Sequence, residues 1–545
     1  MSGLLGIGQS ALLAAYAQLQ TTGHNIANAA TPGYSVQQVS LATSIPSGTG
    51  GGYIGSGVDV VTVERRYDRF LAAAVSAGTA AAAADGIRAE QLGRVDSLLA
   101  DTQNGIGAAI DDLYLAMADV VNRPADPNAR EVVLARADSL AAKLRGTDEQ
   151  LRSLAAESGQ RLEQMTVEAT DVLASLARLN EKIALASGAG HAPNDLLDER
   201  DRLVRSLNGY LTANVVERAD GTVTVTAAGG EPLLVGSRAA SLRTVPDPAS
   251  PDRRQVAIVM DSVTLPLGAA ALGGGALAGL LAFRDEDLQA VRTSLGQLAA
   301  GIAAGFNAQQ ALGVDANGAQ GQPMFAIGAS GLASDFALLL GSGSQLATGL
   351  AMTAQAASGN AGDLSVAAFA ATGPAPMSSA PVTFTFNADG SFDVSGAGTG
   401  DPAGVAWTPG SPIVFNGWSI ELRGTPQAGD RIEVVPTPDP SSDNRNARAM
   451  VLLADQPLVD GRTLTDAFAS MLGEVGRRTR TAETSEAVSG RLLADAEAAQ
   501  ANLAGVNLDE EAARLLQYQQ MYQAAARVIQ AAQSMFDTLL SATAR

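Results

Sequence analysis

The strongest constraint on the fold is the final stretch of the chain, Asn507 to Leu540, which contains neither glycine nor proline. Large apolar residues occur there at every seventh position: Leu508, Leu515, Tyr522, Ile529 and Phe536. This spacing predicts a long helix with a coiled-coil seam, whose companion positions hold Tyr518, Ala525, Ala532 and Leu539. Asn507 is well placed to cap the first turn, ahead of acidic residues that suit the positive end of the helix dipole. The stripe has to be buried, either on its own domain or against another helix.

The first segment of the chain carries the same spacing. Pro32-Gly33 ends a pattern whose apolar residues, at seven-residue steps, are Leu5, Leu12, Leu19 and Ile26, with Ala15 and Thr22 between them. Residues 1–58 contain no Asp, Glu, Lys or Arg, which is unusual for a helix that lies on a protein surface in water. We therefore expect the two terminal helices to pair, and the far face of the first one to contact protein as well.

The two terminal segments are expected to be frayed or disordered in a free monomer. Isolated helices are marginally stable in water, and most of their stability in proteins comes from packing of an apolar face. Neighbouring copies or partner chains would cover the faces that remain open, so we expect the segments to become helical on assembly.

Composition excludes several classes of function. The net charge is −20, with 36 Lys and Arg against 56 Asp and Glu, and no basic patch with interleaved aromatic residues is present, which argues against nucleic-acid binding. The chain has no cysteine, so disulfides, thiolate metal sites and cysteine nucleophiles are excluded. The 46% of hydrophobic residues is enough to build sizeable cores.

No segment is expected to insert into a membrane, because the Ala-rich run near Ala80 reads as too short and too weakly apolar to span a bilayer. The N-terminal segment has no positive region followed by a compact apolar core and a cleavage site, so no signal peptide is expected. Composition taken alone therefore predicts a cytoplasmic protein.

The fold class predicted from the patterns is α+β, mainly α: a long antiparallel helical body, paired terminal helices and inserted β domains. Asp-Gly turns at Asp220-Gly221 and Asp389-Gly390 each lie between alternating apolar residues and predict β hairpins. The expected organisation is an N-terminal arm 1–57 that pairs with 505–545, a helical body 58–210, a small β region 211–270, more helical body 271–327, an outer β domain 328–440, a returning helical part 441–504 and a C-terminal coiled-coil arm 505–545.

The residues that could perform chemistry form no recognisable site, so we expect a protein without catalytic activity, metal or cofactor. The two histidines, His24 and His191, have no second histidine or carboxylate cluster at ligand spacing. No GxSxG motif accompanies either one. The segment NDLLDERDRL gathers four acidic residues, but helical spacing distributes them around the axis. We interpret it as a solvated, salt-bridged helix whose buried stripe is Leu196, Leu197 and Leu203.

Several stretches resemble the hook-associated protein 1 family of bacterial flagellar axial proteins, which forms the junction between hook and filament. ALLAAYAQLQTTGHNIANAATPGYSVQQV is similar to a terminal signature shared by rod, hook and junction proteins. Three further regions are more discriminating, and they read NDLLDERDRLVRSLNGYLTANVVERADGTVTV, GGALAGLLAFRDEDL followed by FNAQQALGVDANG, and GVNLDEEAARLLQYQQMYQAAARVIQAAQSMFDTLL. The resemblance covers most of the helical chain, whereas the β domain carries little of it.

The resemblance implies a structural subunit whose terminal helices pair in the core of a tube, with β domains facing outward. It implies secretion to the flagellum by type III export without a cleaved signal peptide. The partners implied are further copies of the chain in a ring, the hook protein, a second junction protein on the filament side, and an export chaperone at the C-terminal arm. The candidate assembly interface consists of Leu5, Leu12, Leu19, Ile26, Leu508, Leu515, Tyr522, Ile529 and Phe536.

Two alternatives stay open at the level of sequence. The chain could be another flagellar axial protein, of the filament, the hook or the distal rod, although the NDLLDERDRL stretch weighs against this. It could also be a secreted enzyme or adhesin that uses flagellar-type ends for export and has its activity in residues 328–440.

Overall fold

A computed structural model describes residues 2–49, 52–101, 103–188, 192–247, 250–373, 381–397 and 400–543. The chain forms two compact units, each built from separated stretches of sequence. The first unit comprises Met1–Leu92, Ala156–Glu286 and Thr479–Arg545, and the second comprises Gly93–Ala155 and Asp287–Arg478. The two chain ends therefore belong to the same unit.

Helices make up most of the structure. Two of them, α7 and α8, are joined by a π-helical turn at Phe283–Asp287. The α-helices are α1 (Ser2–Asn28), α2 (Arg69–Leu99), α3 (Ile106–Asn122), α4 (Pro127–Ser187), α5 (Asn194–Asn208), α6 (Ala269–Leu272), α7 (Gly275–Ala282), α8 (Leu288–Leu312), α9 (Arg445–Val451), α10 (Leu464–Ala504) and α11 (Leu508–Thr543).

The strands of the first unit form several small antiparallel sheets. Their orders are β1-β4, β2-β3, β5-β6-β7-β8 and β11-β10-β9. The strands are β1 (Gln37–Thr43), β2 (Ser47–Thr49), β3 (Gly52–Ile54), β4 (Val58–Arg65), β5 (Ala213–Glu217), β6 (Val223–Ala227), β7 (Pro232–Val235), β8 (Arg238–Ala239), β9 (Ser241–Asp247), β10 (Ser250–Met260) and β11 (Val263–Leu267).

The strands of the second unit include a self-contained β region. Its two sheets have the orders β14-β21-β16-β17-β18 and β15-β20-β19, and a separate short pair is β12-β13. The strands are β12 (Phe325–Ala326), β13 (Ala337–Leu338), β14 (Met352–Ala356), β15 (Ser365–Ala371), β16 (Val382–Phe386), β17 (Ser391–Ser395), β18 (Val405–Ala406), β19 (Ile413–Phe415), β20 (Trp418–Arg423) and β21 (Arg431–Pro436).

Both predicted hairpins are confirmed. Strands β5 and β6 pair in antiparallel fashion on either side of Asp220-Gly221, and β16 pairs with β17 around Asp389-Gly390. Gly221 has a φ of 79° and Gly390 a φ of 83°, a backbone conformation that costs glycine little and other residues much more. The glycine in each turn therefore fixes where the chain reverses.

The two sheets of the β region share one hydrophobic core. Phe384, Phe386 and Ile420 in this core are completely buried. The ring of Phe384 lies edge-on to that of Trp418, with 5.7 Å between their centroids, an arrangement favoured by the charge distribution of aromatic rings. The predicted class, α+β and mainly α with an inserted β domain and paired terminal helices, is confirmed.

The ground given for the expectation about membranes, that the segment around Ala80 is too short and too weakly apolar, is wrong. Helix α2 spans 31 residues and is long and apolar enough to cross a bilayer by length and composition, because the helix continues on both sides of the Ala-rich run. Its Val75, Ala80 and Leu92 are buried inside the protein, at 0%, 2% and 1% exposure. Of its most apolar stretch of 18 residues, 17% is buried inside the protein.

Candidate assembly site at the paired chain ends

The two terminal helices pack against each other in antiparallel fashion. A Cβ atom added to Gly8, near the start of α1, would lie 2.8 Å from Cγ1 of Ile529, late in α11. At the other end of α1, the Asn25 side chain is hydrogen-bonded to Glu511 in the first turn of α11. Asn507 caps that turn, since its side-chain oxygen accepts from the backbone N–H of Asp509 at 3.0 Å.

Small residues form the contact between α1 and α11. Ala15 and Thr22 on α1 are 0% and 3% exposed, and Gly8 lies one heptad before Ala15. Ala525 and Ala532 on α11 are 6% and 5% exposed. Side chains this short let the two helix backbones approach closely, so we name this contact the small-residue seam.

Most of the large residues predicted as the assembly interface flank the small-residue seam, whereas Ile529 packs against Gly8 within it. Half-buried positions are Leu12, Leu19, Ile26, Leu515 and Ile529. Exposed positions are Leu5 at 39%, Leu508 at 55%, Tyr522 at 36% and Phe536 at 52%. The structure thus places the predicted residues of α1 beside those of α11, but much of the surface of these side chains stays exposed. Their role in assembly remains a prediction.

Further apolar side chains are exposed on both terminal helices, at Leu4, Leu13, Tyr16, Leu516, Met521, Val528 and Met535. Single exposed apolar residues are ordinary, but a row of them along two neighbouring helices is typical of a surface that contacts another protein. Another face of α1 contacts β1 and β4, which agrees with the expectation that its far side meets protein. The open rows therefore lie on the sides of the helix pair.

A group of hydrogen-bonded polar residues, which we name the polar clasp, closes one end of the helix pair. At its centre the side chain of Asn25 is 1% exposed. Its oxygen accepts from the backbone N–H of Gln37 at 3.0 Å and from the hydroxyl of Tyr34 at 2.7 Å. Its nitrogen donates to the backbone oxygen of Gln37 and to Oε2 of Glu511, each at 2.9 Å. Asn25 therefore uses its whole hydrogen-bonding capacity to join three parts of the chain.

Glu511 is the buried charge in the polar clasp. Glu511 is 2% exposed, and its Oε1 accepts a hydrogen bond from a guanidinium N–H of Arg514 at 2.6 Å. A buried carboxylate is costly unless it is paired and hydrogen-bonded, and here both oxygens have donors. The sequence pattern relates Glu511, one of the acidic residues after Asn507, only to the positive end of the α11 dipole. The contact with Asn25 was missed because the two residues are 486 positions apart.

Tyr34 stays protonated in the polar clasp. Burial, together with the nearby carboxylates of Asp195, Asp198 and Glu511, raises the pKa of its hydroxyl well above the ordinary value. The hydroxyl is therefore available as the donor to Asn25 at any physiological pH.

Helix α5 is salt-bridged, but it contradicts the expectation that its charges are solvated and that its leucines form the buried stripe. Asp198 and Arg200 are 7% and 2% exposed, whereas Leu196, Leu197 and Leu203 are only half-buried. Arg65 at the end of β4 donates to Asp198 at 2.8 Å and to Asp201 at 2.7 Å. Arg200 donates to Asp201 at 2.8 Å and to Glu217 in β5 at 2.7 Å. The helical spacing was interpreted correctly as spreading charges around the axis, but it gave no sign of a distant cation.

Helix α5 also holds the backbone of the N-terminal segment. The backbone N–H of Ser35 donates to Asp198 at 2.9 Å, and the side chain of Gln37 donates to Asp195 at 2.8 Å. Asn194 donates to the backbone oxygen of Val63 in β4 at 2.8 Å. These bonds anchor both β1 and β4, on which α1 lies.

The charges around Arg65 are balanced locally. Burial by itself lowers the pKa of Arg65, but the carboxylates of Asp201 and Asp198 outweigh it and raise the pKa above the ordinary value. The guanidinium lies over the ring of Tyr67, 4.1 Å from its centroid. Burial, with Asp201 and Glu217, raises the pKa of Tyr67 to about 12. Arg65 is therefore a charged structural residue that joins β4 to two carboxylates of α5.

His24 lies at the edge of this group of residues. His24 has one nitrogen 3.4 Å from Oδ1 of Asp195, and its ring is edge-on to Tyr34. His191 lies outside the described residues. In the part of the chain that the structure describes, no group of three His, Cys, Asp or Glu residues is arranged to hold a metal ion.

Comparison with known proteins gives consistent matches. Residues 92–325 match the family model "Flagellar hook-associated protein FlgK helical domain", and residues 501–542 match "Flagellar basal body rod FlgEFG protein C-terminal". Flagellar hook-associated protein 1 of Salmonella typhimurium is 32% identical over 556 residues, covering 99% of this chain and 100% of that protein. The protein of the same name from Escherichia coli K12 is 29% identical over 570 residues, with the same coverage.

A solved structure has the same fold. The flagellar hook junction protein FlgK from Burkholderia pseudomallei superposes with a TM-score of 0.72 at 24% sequence identity. The match covers 78% of this chain and 99% of that one.

The close approach in the small-residue seam can be tested with Gly8→Val. The added side chain would collide with Ile529, and overpacking of this kind costs about 1–3 kcal/mol. We expect faster amide exchange along α1 and α11. Gly6→Val is the matched control, because a Cβ at Gly6 meets nothing within 4 Å and the change in helix propensity is the same. Equal exchange rates in the two variants would contradict the close contact.

The polar clasp can be tested with Asn25→Ala. The substitution removes the donor to Oε2 of buried Glu511 and both partners of the Gln37 backbone. Each group left unsatisfied costs about 1–3 kcal/mol. We expect the first turn of α11 and the Ser35–Gln37 segment to lose protection together in amide exchange. Asn28→Ala is the control, since Asn28 bonds only to exposed groups of His24 and Thr31. Loss of protection in α1 alone would argue against the clasp.

Proposed function

This chain belongs to the flagellar hook-associated protein 1 family, and we propose that it is the structural protein that joins hook to filament. The observation that carries the proposal is the 32% identity to a hook-associated protein 1 over essentially the full length of both chains. The proposed role is mechanical and involves no catalysis. The chain would form a ring by contacts between the terminal helix pairs of neighbouring copies.

The helix pair suits such a ring. Its small-residue seam and polar clasp hold α1 on α11 within one copy, so the flanking apolar residues are free to contact a neighbour. Tyr522 and Phe536 on α11 and Leu5 on α1 are exposed members of the predicted interface. Burying apolar surface contributes about 25 cal/mol per Å², which makes these flanks the most favourable place on the pair for another copy.

We propose that this ring contacts the hook protein on one side and a second junction protein on the filament side. We also propose that the chain reaches the flagellum by type III export, with a chaperone that covers the C-terminal arm before assembly. The exposed row on α11, which includes Leu516, Met521 and Val528, supports a chaperone site there. An apolar surface of this kind favours aggregation until a partner covers it.

Ordering of the chain ends on assembly stays a prediction. The apolar flanks of α1 and α11 are open in a single copy, so the pair should exchange its amide hydrogens faster in a monomer than in a ring. Hydrogen exchange on both forms measures this. Equal and strong protection of α1 in the monomer would show that the pair is complete without neighbours.

The function is tested by deleting the gene and viewing the cells by electron microscopy. We expect hooks without filaments, and restored filaments and swimming when the unaltered chain is supplied. Leu515→Asp, which places a charge beside the small-residue seam, should fail to restore either one while the body remains folded. Gln523→Asp is the matched control, because it adds the same charge at an exposed position of α11. Filaments on the hooks of the deletion strain would refute the junction role.

A further inference from the structure

A groove in the first unit runs along the free edge of strand β5. Its volume is about 510 Å³, within the range of pockets that bind ligands. All five residues of β5 line it, but none of the neighbouring strand β6 does. A pocket above one face of the sheet would touch alternate residues of both strands, so this one lies beside the edge. The opposite wall is the start of α2, with Ala72, Ala73, Ser76 and Ala77.

The backbone of β5 points hydrogen-bonding groups into the groove. Ala213 lies opposite Ala227 of β6. The backbone N–H of Ala227 points away from β5 and donates to the backbone oxygen of Glu231. The Ala213–Ala227 pair is therefore a non-hydrogen-bonded one, and Ala213, Val215 and Glu217 turn their amide groups away from β6. Asn208 accepts the Ala213 N–H at 3.1 Å. Among the described residues, nothing is bonded to the backbone N–H groups of Val215 and Glu217.

This edge lacks the usual protection against strand pairing. Proteins generally shield an exposed edge with lysine, proline, a bulge or a helix packed directly on it, and here the groove separates α2 from the edge. Strand β5 has none of these, and Val215 and Val216 are 37% and 61% exposed. Its only charge, Glu217, is paired with Arg200 at 2.7 Å. An extended polypeptide could therefore bond directly to the edge.

The groove is positively charged although the chain as a whole carries −20. The two carboxylates that line it, Asp201 and Glu217, are both paired with Arg200, and the lining holds three arginines against these two carboxylates. The other two arginines that line it are Arg69, which stacks on Phe70, and Arg205, which donates to the side-chain oxygen of Gln500 at 2.6 Å. Neither one forms an ion pair with a described carboxylate.

We propose that this groove binds an extended, acidic segment of a partner polypeptide, which adds to the sheet as a strand beside β5. Backbone bonds to Val215 and Glu217 would supply the pairing, and acidic side chains would meet Arg69 and Arg205. The small residues of α2 leave room for the added strand. The inference does not depend on the junction role, because it uses no residue of the α1–α11 pair.

The probe for the test is a capped, fluorescent ten-residue peptide of alternating valine and glutamate, titrated against the full-length chain by anisotropy. We expect saturable binding that weakens with salt. Arg69→Glu and Arg205→Glu should each weaken it about tenfold or more, since a charge-assisted hydrogen bond is lost and repulsion is gained. Arg243→Glu is the control, because Arg243 is an exposed residue of β9 and does not line the groove.

The strand-pairing geometry has its own variants. Val215→Pro removes an N–H that the sheet does not use, so the fold should persist, as circular dichroism can check, while binding falls. A peptide that is N-methylated at alternate residues should bind weakly to the unaltered chain, which keeps the test independent of any change in folding. Unaltered affinity in both cases would overturn the proposal.

Two further outcomes also overturn it. One is binding of a valine and lysine peptide as tight as that of the valine and glutamate peptide, which would show that the arginines do not select an acidic partner. The other is self-association of the unaltered chain in sedimentation that Val215→Pro abolishes, because the occupant would then be a second copy. Absence of saturable binding to the glutamate peptide counts against the proposal as well.

Discussion

The structure of the first unit depends on the contact between α1 and α11, the two ends of the chain. Glycine, alanine and threonine in the small-residue seam let the backbones approach, and dispersion contacts across such a close interface are individually small but numerous. Asn25 and Glu511 then fix the lengthwise position of the helices. A shift of one turn would leave Oε2 of the buried Glu511 carboxylate without its donor Asn25, at a cost of about 1–3 kcal/mol. Packing supplies attraction, whereas the polar clasp supplies register.

The polar clasp also connects α1 to the rest of the first unit. Asn25 is bonded to the backbone of Gln37 at the start of β1, and β1 pairs with β4. Strand β4 ends at Arg65, which is held between Asp198 and Asp201 of α5. A chain of buried, fully partnered polar groups therefore connects the terminal pair to α5. Networks of this kind are rigid when every member is satisfied.

The division between small and large apolar residues separates two tasks. Residues such as Ala15 and Ala525 are buried within one copy, while Tyr522 and Phe536 remain at the surface. The β region of the second unit shows no such division between small and large apolar residues, because Phe384 and its neighbours form a separate core. Strand β5 is different again, since its open edge and the two arginines beside it belong neither to a core nor to the helix pair.

Periodicity by itself determined that both ends of the chain are long helices with matching apolar stripes, that Asp-Gly turns reverse the chain at Gly221 and Gly390, and that the class is mainly α. These features follow from local rules, in which spacing and turn geometry act over a few residues. Only the tertiary structure decided which side of each stripe is buried, because small residues at Gly8 and Ala15 look weak in a hydrophobic pattern yet permit the closest contact. It also decided that Asp198, Arg200 and Glu511 are buried. The cation of Asp198, Arg65, and the second donor to Glu511, Asn25, are distant in sequence. A charge is stable in a protein interior only where the fold completes its set of partners.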